Sequence, residues 1–169
     1  GAAAAWFVAR DAARWPRAAA LAHEAPLVAL DGDPFKALCY GWIDADDGRP
    51  APSAALPPLR YAVDRGALEF PDLGDLLGAP EAELRARRAG DPTRTRRHFE
   101  THLRLVAPQR RYFVALREAM PGRVVLLPTD DRDGLPRAVR DALAALPPGA
   151  PDHARLLAHA AAWMAAHAP

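Results

Sequence analysis

Lysine and cysteine are all but missing from this chain: Lys36 and Cys39 are the sole examples in 169 residues. One cysteine excludes an intramolecular disulfide and fits a reducing, cytoplasmic setting. No apolar run approaches the ~20 residues that span a bilayer, and no secretory leader is visible. Charge of one sign is not in excess either. The 22 basic and 21 acidic residues leave a net charge of +1, which argues against a general nucleic-acid or membrane-surface binder. What remains is half apolar and a quarter charged, the balance of a soluble globular domain long enough to bury a substantial core. The preference for arginine over lysine, with abundant alanine and proline, is the bias of a GC-rich coding sequence. Arginine content therefore means little here, and arginine clustering means more.

Clustering is present between Leu84 and Glu100, where six arginines fall in two groups around a Gly90-Asp91-Pro92 break. Arg85, Arg87 and Arg88 stand before it; Arg94, Arg96 and Arg97 stand after it. Guanidinium is a permanently charged, planar fork that matches phosphate oxygens. Two such groups hinged at a turn suit a polyphosphate, whereas the plainer reading is a solvated helix face.

The surrounding pattern alternates strands and helices. Helix propensity is high over Ala2 to Arg14, and Pro16 with the alanines beyond it reads as a looser connection. The apolar run Pro26 to Leu30 has the pattern of a strand buried on both faces. Phe35 to Ile43 reads as a short helix, residues 44–58 as a proline-rich loop, and Leu59 to Gly66 as a helix stopped by glycine. Asp72 to Ala79 is a second, weaker strand, after which Pro80 opens a helix with Glu81 and Glu83 in its first turn. Thr93 or Thr95 is a candidate cap for a long helix to about Met120, kinked at Pro108. Arg123 to Leu127 is the clearest strand. Leu135 to Leu146 is an amphipathic helix, 147–151 a linker, and 152–167 a last helix with Leu156, Leu157, Ala160, Trp163 and Met164 on one face. This order predicts an α/β domain on a parallel sheet, with ligands outside the carboxyl ends of its strands.

Over roughly Ala2 to Leu146 the chain resembles the P-loop kinases of small molecules and nucleotides, the group of thymidylate kinase, adenylylsulfate kinase and chloramphenicol phosphotransferase. Leu-Leu-Gly-Ala-Pro-Glu-Ala-Glu-Leu-Arg-Ala-Arg-Arg (76–88) is similar to the strand, turn and helix leading into that family's lid. Residues 111–130 resemble the helix and last core strand after it. Val-Ala-Leu-Asp-Gly-Asp (28–33) resembles the strand whose terminal acid faces the acceptor hydroxyl. The resemblance implies a three-layer fold, a parallel sheet flanked by helices, over residues 1–146, with a lid at about 84–100. Residues 147–169 would then be a linker and a helix packed on the same domain or on a partner. The family's cradle G-x-x-x-x-G-K-[ST] is absent from these residues. Either the first strand and cradle precede Ala2 in the natural chain, which is the expectation, or the protein is a degenerate member. A further core strand is also expected near the 44–58 segment.

Family membership implies an ATP- and magnesium-dependent phosphotransferase acting on a small-molecule phosphoryl acceptor: a nucleoside, a nucleotide or an antibiotic-like metabolite. Asp33, with Asp31 second, is the catalytic candidate, to orient or deprotonate the acceptor hydroxyl or hold magnesium through water. Arg88 and Arg94 lead the catalytic arginines. Arg85, Arg88 and Arg97, with Asp130 near the adenine, are assigned to the nucleotide, and Arg87 points elsewhere on the helix. Phe35, Tyr40, Arg60 and Arg65 are the acceptor-binding candidates, Phe35 being equally suited to the core. No residue is assigned as a direct metal ligand, because His98 and His102 form His-Phe-Glu-Thr-His and lack a third partner. Cys39 has no context for nucleophilic use. A non-catalytic kinase-like domain binding a nucleotide or protein partner is the alternative, and a homodimer stays open.

Overall fold

The computed structural model describes residues 2–46, 52–91, 93, 98–129, 131 and 133–167. It is a mixed α/β structure with a small two-stranded parallel sheet, and it divides into two compact units. Unit 1 comprises Gly1–Asp72 with Ala150–Pro169, and unit 2 comprises Leu73–Gly149.

Unit 1 is helical. Helix α1 (Ala2–Leu21) turns a stripe of half-buried or buried residues inward at Ala4, Phe7, Val8, Asp11, Trp15 and Ala18. That three-to-four spacing is the signature of one helix face against a core. Pro16 lies inside the helix and is exposed. The connection expected beyond it is absent because the flanking alanines, the best helix formers, carry the helix on to Leu21. The run 27–30, expected as a buried strand, is irregular, and Leu27 is 56% exposed. A strand needs a hydrogen-bonding neighbour, and among the described residues the sheet contains only the two strands of unit 2.

Helix α2 (Lys36–Asp46) follows, reaching beyond the expected end at Ile43. A 3-10 turn (Pro52–Ala55) then runs straight into α3 (Leu56–Asp64), so the second half of the expected loop is ordered helix. The last helix, α7 (His153–Ala166), is capped by Asp152, whose carboxylate accepts from Arg155 N at 2.9 Å. Such a cap stabilises a helix by about 1 kcal/mol. It buries Leu156, Leu157, Ala160, Ala161 and Met164 and packs on α3. Trp163, expected on that face, is half-buried and stacks on His167 at 4.5 Å. Leu59, Leu68 and Phe35 are fully buried at the centre of the unit, with the Phe35 and Phe70 rings stacked at 3.9 Å.

Unit 2 is a parallel crossover. Strand β1 (Gly74–Gly78) leads to α4 (Glu81–Ala89), then α5 (Phe99–Ala119), then strand β2 (Val124–Pro128) and α6 (Leu135–Ala144). β1 and β2 pair in parallel from Gly74 opposite Val124 to Gly78 opposite Pro128. Both elements were expected, and Pro80 stands at the start of α4 as foreseen. α5 runs through Pro108 and packs on both strands, burying Leu105, Tyr112, Phe113, Ala115 and Leu116. It begins later than its expected caps. Thr93 is instead bonded to Asp91 Oδ1 through its hydroxyl at 2.6 Å, and Thr95 lies outside the described residues. His98 introduces the helix at φ 62, a left-handed conformation that a non-glycine residue adopts at a cost of about 1 kcal/mol or more.

The turn from α5 into β2 needs Gly122, whose φ is +77. A Cβ there would also come within 3.2 Å of Pro147 Cδ. Next to it, the buried Arg123 donates from Nη2 to Pro147 O at 2.7 Å and also to Gly149 O. This one guanidinium supplies donors to two carbonyls of the 147–149 segment. Replacing Arg123 with Met is expected to cost unit 2 roughly 2–3 kcal/mol, the scale of charge-assisted hydrogen bonds. The measurement is amide exchange along β2 against Leu156 and Leu157 in unit 1 as an internal control. Equal loss of protection in both sets would count against a local clamp.

Candidate functional site

The turn Asp31-Gly32-Asp33 precedes α2, and Gly32 has φ +95, a conformation that favours glycine. The turn brings Asp33 to the helix start, where Phe35 N donates to Asp33 Oδ1 at 2.8 Å. Oδ2 is closed to solvent and has no hydrogen-bond partner among the described residues. Burial is the main reason that the Asp33 carboxyl is pushed up to about 6. The Phe35 amide and the Lys36 ammonium oppose that shift, and the Asp11 carboxylate adds to it. An acid of this strength, with an open valence for a proton donor, has the properties of a general base near neutral pH.

Its surroundings are charged and partly buried. Asp11, only 5% exposed on α1, takes the Lys36 ammonium at 3.0 Å from Oδ2 and 3.2 Å from Oδ1. Arg14 Nη1 lies 3.5 Å from the same carboxylate, and its Nη2 reaches Asp31 O at 3.5 Å. Further along α2, burial and the neighbouring Asp33 push the Cys39 thiol well up, so it stays protonated. Tyr40 is also pushed up, mainly by burial, and its ring stacks on Phe7 at 6.1 Å.

Asp11, Arg14 and Lys36 escaped the sequence reading. Each had a signal. Asp11 falls on the inward stripe of α1, where a carboxylate demands a cation, and Lys36 is the one lysine in an arginine-rich chain.

The acceptor candidates do not gather. Phe35 belongs to the core. Arg60 is exposed on α3, and Arg65 lies over the exposed Tyr61 ring at 5.4 Å. Tyr40 lies further along α2, with its ring stacked on Phe7. Asp31 is exposed.

In unit 2 the arginines sort differently from their expected roles. Arg85 grips Glu100 with two parallel bonds of 3.0 Å and also bonds Glu81 at 2.8 Å. Arg88 reaches the same Glu100 at 3.1 Å while its guanidinium lies 4.5 Å over Phe99. These hydrogen bonds raise Arg85 above its ordinary range and lower Glu100. Both pairs are open to solvent, where ion pairs add little stability. Arg87, expected to point away, bonds Thr129 Oγ1 at 3.2 Å and also pairs with Glu83. Thr129 donates onward to Gly78 O at 3.2 Å. Arg87 thus stands at the carboxyl ends of both strands. Arg94, Arg97 and Asp130 lie outside the described residues.

Among the described residues no three histidine, cysteine or acidic side chains are grouped as metal ligands would be, and no helix is long and apolar enough to cross a membrane. No protein-family model matches the chain, and neither does any curated protein or solved structure.

The raised Asp33 carboxyl has a consequence for stability. Its ordinary value is 3.8 and its folded value is about 6, so between those limits the folded protein holds a proton that the unfolded chain has released. Stability therefore falls as pH rises through this window. At 1.36 kcal/mol per unit, the loss is at most about 3 kcal/mol by pH 7. In Asp33→Asn this decline is expected to disappear, so the melting temperature of the variant gains on wild type between pH 4 and pH 7. Parallel curves would show that Asp33 titrates normally.

Proposed function

We propose that this chain is an ATP- and magnesium-dependent phosphotransferase of the P-loop small-molecule kinase type, on the three-layer fold of that family, with Asp33 as the base for the acceptor hydroxyl. The observation that carries the reading is the Asp33 carboxylate, with one oxygen fixed by the Phe35 amide and the other closed off without a partner among the described residues. An acceptor hydroxyl at Oδ2 supplies the missing donor. The proton of that hydroxyl would pass to Asp33. The parallel crossover β1-α4-α5-β2, with Arg87 at the strand ends, is consistent with the same family.

ATP would supply the phosphoryl group, and magnesium would offset its charge. The described residues include no glycine-rich cradle and no grouped metal ligands, so they do not fit these groups. The reading accordingly concerns the acceptor side alone. Nucleosides, nucleotides and antibiotic-like metabolites remain the acceptor classes to try.

The second reading is a non-catalytic, nucleotide- or protein-binding domain. It is favoured by Glu100, which already occupies the donors of Arg85 and Arg88.

Transfer of labelled phosphate from ATP to a panel of hydroxyl acceptors tests the first reading. Asp33→Asn is expected to lower turnover by about 10²–10⁴-fold, the usual contribution of a general base. Wild-type turnover should decline as pH falls through about 6, when Asp33 takes up its proton. Nucleotide binding without transfer to any acceptor would move the balance to the second reading. Full turnover in Asp33→Asn would remove the assigned base.

A further inference from the structure

We infer that the Asp11–Lys36 ion pair is a positioning device for the Asp33 carboxylate: Lys36 is the cation that offsets its charge, and Asp11 fixes where that cation stands. The inference rests on reading Asp33 as the base, and it adds two residues whose charges act on it.

The geometry is specific. Lys36 carries its ammonium on a flexible four-carbon stem, free in principle to extend into solvent. It does not extend. Nζ is held between both oxygens of Asp11, at 3.2 and 3.0 Å, by a carboxylate that is itself buried on α1. On the other side the ammonium lies against the Asp31–Asp33 turn, since a Cβ built on Gly32 would stand 3.7 Å from Nζ. A cation tied down in this way acts on the adjacent carboxylate from a constant place. Two carboxylates brought together without it would resist ionising side by side.

The charged and titratable groups near Asp33 come from α1, from α2 and from its own turn. From α1 there are Asp11 and, bonded to it, Arg14. From α2 there are Lys36 and the neutral Cys39 thiol, and from its own turn the exposed Asp31. Lys36 favours the charged form of Asp33, whereas Asp11 opposes it. The two halves of one ion pair therefore act on Asp33 with opposite signs. A brace between α1 and α2 whose charges lay out of reach of Asp33 would leave its midpoint unmoved in either variant.

The experiment is a carboxyl carbon NMR titration of the full chain, with the Asp33 resonance assigned by its loss in Asp33→Asn. Lys36→Met is expected to raise the Asp33 midpoint and Asp11→Asn to lower it, each by about one pH unit, the scale for a charge in close reach. The double variant should return towards wild type. Should Lys36→Met fail to fold with Asp11 left buried, Asp11→Asn and the double variant still decide the sign. Midpoints that move the same way in both single variants, or in neither, overturn the inference. Turnover against pH in the same variants is a separate readout. If the midpoints move in opposite directions but the activity profile does not follow, the ion-pair assignment stands and Asp33 is not the base.

Discussion

A carboxylate on the inward face of an alanine-rich helix obliges its surroundings to supply a cation, and Asp11 is that carboxylate. Desolvating an unpaired charge costs far more than a small domain can absorb. The demand is met by Lys36, at 3.0 Å from the start of α2. Meeting it brings α2 to α1 with the Asp31–Asp33 turn between them. Asp33 inherits the consequences: one oxygen capped by a backbone amide, the other without a partner among the described residues, and a proton affinity raised by burial. A structural pairing and a candidate chemical group thus share one cause.

Unit 2 places its charge by a different rule. Parallel strands end on the same side, so the residues just beyond β1 and β2 stand together whatever their distance in sequence. Thr129 closes onto Gly78 there, and Arg87 joins them from α4. Arg85 and Arg88 face another way and meet Glu100 at the first turn of α5. Three arginines within four positions have two destinations because a helix turns by about 100° per residue. A cluster in sequence is therefore not a cluster in space.

Much of the local structure was legible in the chain. Pro80 before Glu81 and Glu83, Asp152 before α7, and Pro121-Gly122 before β2 are signals acting within a few residues, and each marks a boundary that the fold respects. Failures of the reading came where a local pattern was ambiguous. The run 26–30 is apolar enough for a buried strand, yet apolarity does not provide the neighbour whose backbone a strand must bond. Pro16 resembles a helix stop, but it falls on the exposed side of a stretch whose alanines favour helix on both flanks.

The site divides in the same way. The Asp-Gly-Asp turn was legible as a local feature, and it was the family resemblance that made Asp33 a candidate. Its elevated proton affinity was not legible, since that depends on burial and on Asp11, which enters from another helix. Sequence by itself determined most of the helices, both strands of the sheet and that the charge is balanced overall. Only the tertiary structure decided that Asp11 would meet Lys36 across 25 positions and that Arg87 would meet Thr129 across 42. The physical reason is range. Propensity, capping and turn chemistry act between neighbours along the chain, whereas desolvation and ion pairing act between neighbours in space.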